Sequence, residues 1–368
     1  MKYLAAYLFL FSLCLSTSAT NAFAFPEMIR EGYANCTACH LSPSGGGVLT
    51  PYGRELSKEI LSTWSKDGEQ AYIYGLAKVE EPWLLGGDIR WLQALVNTST
   101  AETARSILMQ ADAEFAYNSK SWAVDVSLGR QEMGRGQGRF FSRRYYVMGR
   151  FSDQLSLRAG RFDKSFGVNE PDHTTLVRSG LGFAQDTETV NAELAWLDEQ
   201  WAVNLTYVYG QFVPEWSTAR DQGFALNASY YFLESQKVGL GVYQGEDTSR
   251  TRWAYGPWAV LSLNKKLFLL SEFFFQNQTT KATDAKATGF VTSHRLGYEA
   301  HPGVVAFLTA ERSDLTPRVA NSASDAWGLG VQFFPRPHFE FVGAFKRQMV
   351  LDSKQFSNMF YLLAHYYL

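Results

Sequence analysis

The chain has 368 residues, a formal net charge of -2 and a mean hydropathy of -0.19. That balance argues against a nucleic-acid partner, and past the first residues no apolar run reaches the ~18 needed for a membrane-spanning helix. The excess is aromatic, with 27 Phe, 19 Tyr and 10 Trp making 15% of the chain. At a mildly polar average, so many rings suit strands whose two faces differ.

Residues 1–24 read as a secretory signal. Lys2 precedes an almost wholly apolar stretch from Leu4 to Leu15, and Ala22-Phe23-Ala24 supplies a small-residue cleavage site. Cys14 would leave with it, so the mature chain keeps only Cys36 and Cys39. Residues 25–82 are then expected to form a small segment organised around Cys36-Thr37-Ala38-Cys39-His40. Two thiols three residues apart, followed by an imidazole, match the spacing that captures both haem vinyl groups as thioethers while the histidine ligates iron. The reading is one covalent haem c. A disulfide, a redox dithiol and half a zinc site are the competing readings, and the zinc site lacks two nearby ligands.

Ser42-Pro43-Ser44-Gly45-Gly46-Gly47 reads as a loop able to pass close to a flat macrocycle. Thr50-Pro51 caps and opens a helix predicted to run to Leu61, with Leu56, Ile60 and Trp64 as its apolar stripe. Arg54 on that helix is a candidate partner for a haem propionate, weighed against an ordinary exposed helical arginine. A second short helix is expected from Glu69 to Ala77. After His40 the next methionine is Met109 and the next histidine His173. The iron's sixth position is therefore open to assignment, with Met28 and His173 as candidates.

From residue 83 to 368 the pattern changes to stretches of about ten residues alternating apolar with polar or small, the period-2 signature of a barrel wall. Trp201 to Tyr207 and Phe224 to Tyr230 show it plainly. Sixteen antiparallel strands are expected, near 84–97, 106–118, 121–130, 140–151, 154–163, 187–196, 200–210, 221–232, 236–245, 250–263, 266–276, 287–299, 303–313, 325–334, 337–347 and 357–368. Tight connections alternate with longer loops such as 131–139, 164–186, 277–286 and 314–324, the arrangement of bacterial outer-membrane barrels, short turns inside and long loops outside. The fold class is therefore an all-β transmembrane barrel carrying a small helical haem segment.

The alternation turns Asp88, Arg90, Asp112, Glu114, Asp125, Arg144, Arg150, Arg158, Glu193, Glu272, Arg295 and Glu340 toward the lumen. The loop from Lys164 is the longest and is expected to fold inward as a constriction; Glu170, Asp172 and His173 on it form a candidate transition-metal site, weighed against a turn-forming Asp beside a solvated His. A sixteen-stranded barrel has a backbone diameter of roughly 30 Å, against about 27 Å for a compact 58-residue globule. The N-terminal segment must either plug the bore or sit at its periplasmic mouth.

A signal peptide, one Cys36-to-His40 motif, Pro51-Tyr52-Gly53-Arg54 soon after it, and a single barrel resemble the fused monohaem cytochrome-porins of bacterial outer membranes, some of which oxidise ferrous iron. The resemblance covers the whole chain in architecture and residues 36–40 and 51–54 in motif, while Gly45 to Gly47 lengthen the segment after the motif and the barrel is short for the group. It implies a haem exchanging electrons between an extracellular donor, a metal ion or multihaem partner among the options, and periplasmic electron carriers such as cytochromes, in a protein embedded in outer-membrane lipid. An iron(II):cytochrome-type oxidoreductase is one form of that activity. The alternative is a passive porin whose haem segment is a structural or redox-sensitive plug, and a third reading is an enzyme or gas sensor acting at an open iron position.

Overall fold

A computed structural model describes residues 26–132, 138–170, 172, 174–183, 187–211, 221–351, 353 and 355–368. The signal expected at 1–24 lies outside these residues.

From Trp83 onward the chain is a closed antiparallel barrel of sixteen strands. Seventeen strand segments build it, because the fourth stave is interrupted: β4 (Gly138–Phe141) and β5 (Tyr145–Arg150) both pair with β3 (Trp122–Glu132). Each other strand pairs with its sequence neighbours, and β1 (Trp83–Thr98) closes the ring on β17 (Phe356–Tyr367), Asp88 opposite Tyr367 and Thr98 opposite Ser357. All expected strands are present. At one end the connections are two to five residues long. At the other they run from three to 26 residues, so the expected alternation of lengths is weaker than the sequence suggested. The stretch 277–286 is mostly wall, since β12 (Leu267–Thr280) and β13 (Ala285–His301) extend past the membrane-sized span and leave only 281–284 as loop.

The period-2 logic is plain in β7 (Thr189–Leu197) and β8 (Trp201–Gly210). In β7 Thr189, Asn191, Glu193 and Ala195 are buried inward while Leu194 and Trp196 face out. β8 continues it, with Asn204, Thr206 and Val208 inside and Leu205, Tyr207 and Tyr209 outside. Aromatic rings meet on the outer face near the short-turn end, as in Trp83 against Tyr117 and Tyr117 stacked on Trp122. A second set lies toward the loop end, including Tyr207 with Phe224 and Tyr255 with Phe275.

The bore is filled from both ends. The long connection after β6 (Leu155–Phe162) folds inward as expected. Phe166, Val168, Leu176, Val177, Leu181 and Phe183 are buried against inward side chains such as Val208, Tyr243, Phe274 and Val291 in the largest apolar cluster. Polar ties hold it there: Val168 N donates to Glu272 Oε1 at 2.8 Å, Asn227 Nδ2 donates to Gly167 O at 2.9 Å, and Lys346 donates to Thr174 O at 2.8 Å.

Residues 26–82 enter from the short-turn end. Asn35 donates to Asp198 O, Thr63 N to Phe334 O, Trp64 N to Pro335 O and Tyr74 Oη to Pro337 O, while Arg30 pairs with Glu299 and Arg336 with Glu69 at 2.5 Å. Thr50 caps the expected helix, its Oγ1 accepting from Gly53 N at 3.0 Å, but the α-helix proper spans Pro51–Leu56 and widens into a π turn over Ser57–Leu61. Leu56, Ile60 and Leu61 pack inward; Trp64 does not extend the stripe and instead stands edge-on to Phe333 at the rim. The second expected helix is only a 3-10 turn, Tyr72–Gly75, in which Ile73 and Tyr74 have φ of 48° and 56°. Tertiary anchoring outweighs propensity there, since Tyr74 is tied to Pro337 and Tyr72 lies under Arg54.

Candidate functional site

His40 and Leu49 form an isolated antiparallel bridge, and Leu41 N donates to Val48 O at 3.1 Å, so residues 40–49 make a narrow loop pointing into the bore. Its tip holds three consecutive left-handed glycines, Gly45, Gly46 and Gly47, with φ of 82°, 72° and 71°. Only glycine adopts that run without strain. A Cβ at Gly45 would lie 3.2 Å from Cys36 Sγ, and one at Gly47 would lie 3.0 Å from Glu114 Oε1. The close approach that these glycines allow is thus to the first thiol and to the barrel wall.

Cys36 and Cys39 are not joined by a disulfide. Cys39 is buried with Met28 and Leu56 in one apolar cluster, and Gly53 lies so flat against it that a Cβ there would meet Cys39 O at 2.4 Å. Burial pushes the Cys36 thiol up, opposed by the nearby Lys237 and Arg158 cations. Burial also pushes the His40 imidazole down to about 4, against the raising effect of the Gly47 carbonyl, which lies 3.4 Å from His40 Nδ1. The ring is therefore neutral at pH 7, the form able to ligate iron.

Cys36, Cys39, His40 and Met28 all line one cavity of about 510 Å³ that runs between the N-terminal segment and the inward loop. That volume falls within the roughly 300–1,000 Å³ of cofactor and ligand pockets. The donor set suits a thioether-linked porphyrin, which Cys36 and Cys39 would hold covalently and His40 would ligate from the same cavity. Of the two candidates for the sixth position, Met28 is 2% exposed and packs beside Cys39, and His173 lies outside the described residues.

One expectation is corrected, and the described members of another are engaged elsewhere. Arg54 does not reach into the cavity for a propionate: it is buried, stacked 3.7 Å over the Tyr72 ring, and donates to Leu49 O. Glu170 is taken up by an ion pair with Arg295, and Asp172 accepts from Thr174 N and Oγ1 at 2.8 and 2.7 Å. Among the described residues no group of three His, Cys, Asp or Glu side chains is arranged to hold a metal ion, and His173, the third member of the expected Glu170-Asp172-His173 site, lies outside them.

The expected lumenal charges do face inward, and most are paired. Arg144 meets Glu114 at 2.7 and 3.1 Å, Arg158 meets Glu193 at 2.7 Å, Arg90 meets Asp88 at 3.2 Å, and Arg150 donates to Asn118 Oδ1 and Ser119 O. Sequence reasoning missed His365, which lines the same cavity with Nδ1 2.7 Å from Glu340 and Nε2 2.5 Å from Asp88. Its alternate position on the last strand, opposite Glu340 and Arg90, was the available signal.

No family model and no curated relative matches the chain. Solved structures do. OmpT of Vibrio cholerae, an outer-membrane protein, superposes with a TM-score of 0.60 at 12% identity, covering 79% of this chain and 99% of that one. An anion-selective porin from Comamonas acidovorans gives 0.58 at 9%, covering 78% and 100%, and Pseudomonas putida OprB gives 0.57 at 10%, covering 78% and 94%. These likenesses establish the fold as that of outer-membrane barrels.

Proposed function

We propose that this chain is an integral outer-membrane barrel of porin type whose bore is stoppered from the periplasmic side by residues 26–82, and that the stopper carries haem c on Cys36, Cys39 and His40. The membrane reading is supported by the outward apolar face, its two sets of rings and the porin-type neighbours. The haem reading is carried by one observation: both thiols and the imidazole of the motif line a single cavity inside a closed barrel. When bound, the haem supplies a one-electron couple, which this geometry would hold between an outer donor or acceptor, ferrous iron being one option, and periplasmic carriers.

The chain's own residues define the rest. Cys36 and Cys39 anchor the group to the stopper, His40 offers a neutral ring, and the inward loop fills the bore on the outer side. The helix Pro51–Leu56 lays Gly53 against Cys39 and leaves the neighbouring Tyr52 and Glu55 exposed.

A haem-stained gel of outer-membrane fractions tests this directly. A stained band of this chain, lost in Cys36→Ala/Cys39→Ala, followed by stopped-flow oxidation or reduction by outer and periplasmic reagents, is expected. An unstained wild-type band made beside a working maturation system overturns the haem reading and leaves a passive porin with a protein plug. The porin-type neighbours favour that second reading, which predicts ion conductance without any redox response.

A further inference from the structure

The loop that follows His40 is gripped by two arginines of the barrel wall. Arg158 on β6 is 1% exposed. Its Nε donates to Glu193 Oε1 at 2.8 Å and Nη2 lies 2.7 Å from the same oxygen, while Thr206 Oγ1 donates to Glu193 Oε2 at 2.9 Å. The other side of the guanidinium forks onto the loop: Nη1 donates to Ser42 Oγ and Nη2 to Ser44 Oγ, both at 2.8 Å, with the Phe162 ring 3.9 Å beneath. Arg144, held at two points by Glu114, lies against the next two residues, its Nη1 3.6 Å from a Cβ at Gly46 and its Nε 3.1 Å from one at Gly47. Asn169 of the inward loop donates to Ser44 O at 2.9 Å.

The far end of this chain of contacts is the Gly47 carbonyl facing His40 Nδ1. An axial histidine takes its orientation and basicity from the acceptor at its non-ligating nitrogen. Here the acceptor belongs to a run of three glycines with little stiffness of its own. The stiffness is imported from β6 and β7, because a guanidinium already fixed by a buried carboxylate makes a rigid, charge-assisted fork.

On the haem reading above, we propose that Arg158, braced by Glu193, is a positioning residue for His40: through Ser42 and Ser44 it fixes the loop that presents the Gly47 carbonyl to the imidazole. The barrel wall, and not the haem segment alone, then tunes the iron. Arg158 reaches the iron only through the loop and is not a catalytic residue.

The full chain in detergent provides the test. Ser42→Ala/Ser44→Ala removes the fork and leaves the Arg158–Glu193 pair intact. Expected are a normal haem stain, wild-type heat-modifiable migration, a shifted midpoint potential and altered low-spin electron paramagnetic resonance g values. Amide exchange at Gly45 to Gly47 should rise about tenfold or more, the effect of losing a charge-assisted hydrogen bond. Arg158→Met/Glu193→Met, which deletes both partners and leaves no buried charge unpaired, should reproduce the spectral and potential shifts. A serine variant that stains normally and keeps the wild-type potential and g values overturns the positioning role while the haem reading stands. A wild-type chain without haem stain overturns both.

Discussion

The barrel wall and the segment inside it obey different rules. In the wall most residues' environments follow from odd or even position along the stave, so Leu194 faces out and Glu193 in on one strand, with interruptions where the ladder shifts register. Inside the bore, residues 26–82 contain one α-helix of six residues, and their places are decided by contacts hundreds of residues away, such as Arg30 with Glu299 or Ser57 with Tyr367. The wall is a repeating backbone ladder; the stopper is a set of individual side-chain ties. Damage to one tie should therefore move the stopper's properties while leaving the barrel closed.

Deleting residues 26–82 breaks the comparison most severely. The barrel is expected to assemble and keep its heat-modifiable migration, the haem stain that the proposed function requires of the full chain should be absent, and single-channel conductance in a planar bilayer should rise several-fold; a chain that no longer forms a barrel would show that the wall depends on its contents. Next comes Glu193→Ala. Arg158 would be left buried without its carboxylate, at a cost of about 3–5 kcal/mol read from denaturant unfolding. Leu181→Ala, at a fully buried position of the inward loop, should cost about 2–5 kcal/mol and widen the constriction, which solute-exclusion measurements would detect.

A pH experiment sharpens the view of that loop. Burial holds the Lys164 amine down at about 8 against an ordinary 10.5, with Arg252 adding to the effect and Asp163 opposing it. Below pH 8 the lysine is charged in both states and its burial is a penalty; between pH 8 and 10.5 the unfolded chain binds more protons, so stability should rise with pH. Lys164→Met should flatten that rise in thermal-melt series. The smallest expected effect is Thr50→Ala, which loses the helix cap on Gly53 and the bond from Thr50 Oγ1 to Ala38 O, worth about 1 kcal/mol.

The chain's own order of residues determined the sixteen staves, the inward set from Asp88 to Glu340, and the motif at Cys36 to His40, because period-2 alternation and a five-residue spacing are local properties. It also announced the Thr50 cap and the inward loop. It did not announce that Tyr72–Gly75 would be a left-handed turn, that Arg54 would stack on Tyr72, or that Glu170 would belong to Arg295, since each depends on a partner supplied by the fold. The same is true of His365 between Asp88 and Glu340, and of Arg158 on Ser42 and Ser44. Closing the barrel brings residues 116 positions apart within 2.8 Å, and a buried charge then takes whichever partner that closure offers, because leaving it unpaired costs more than any local preference supplies.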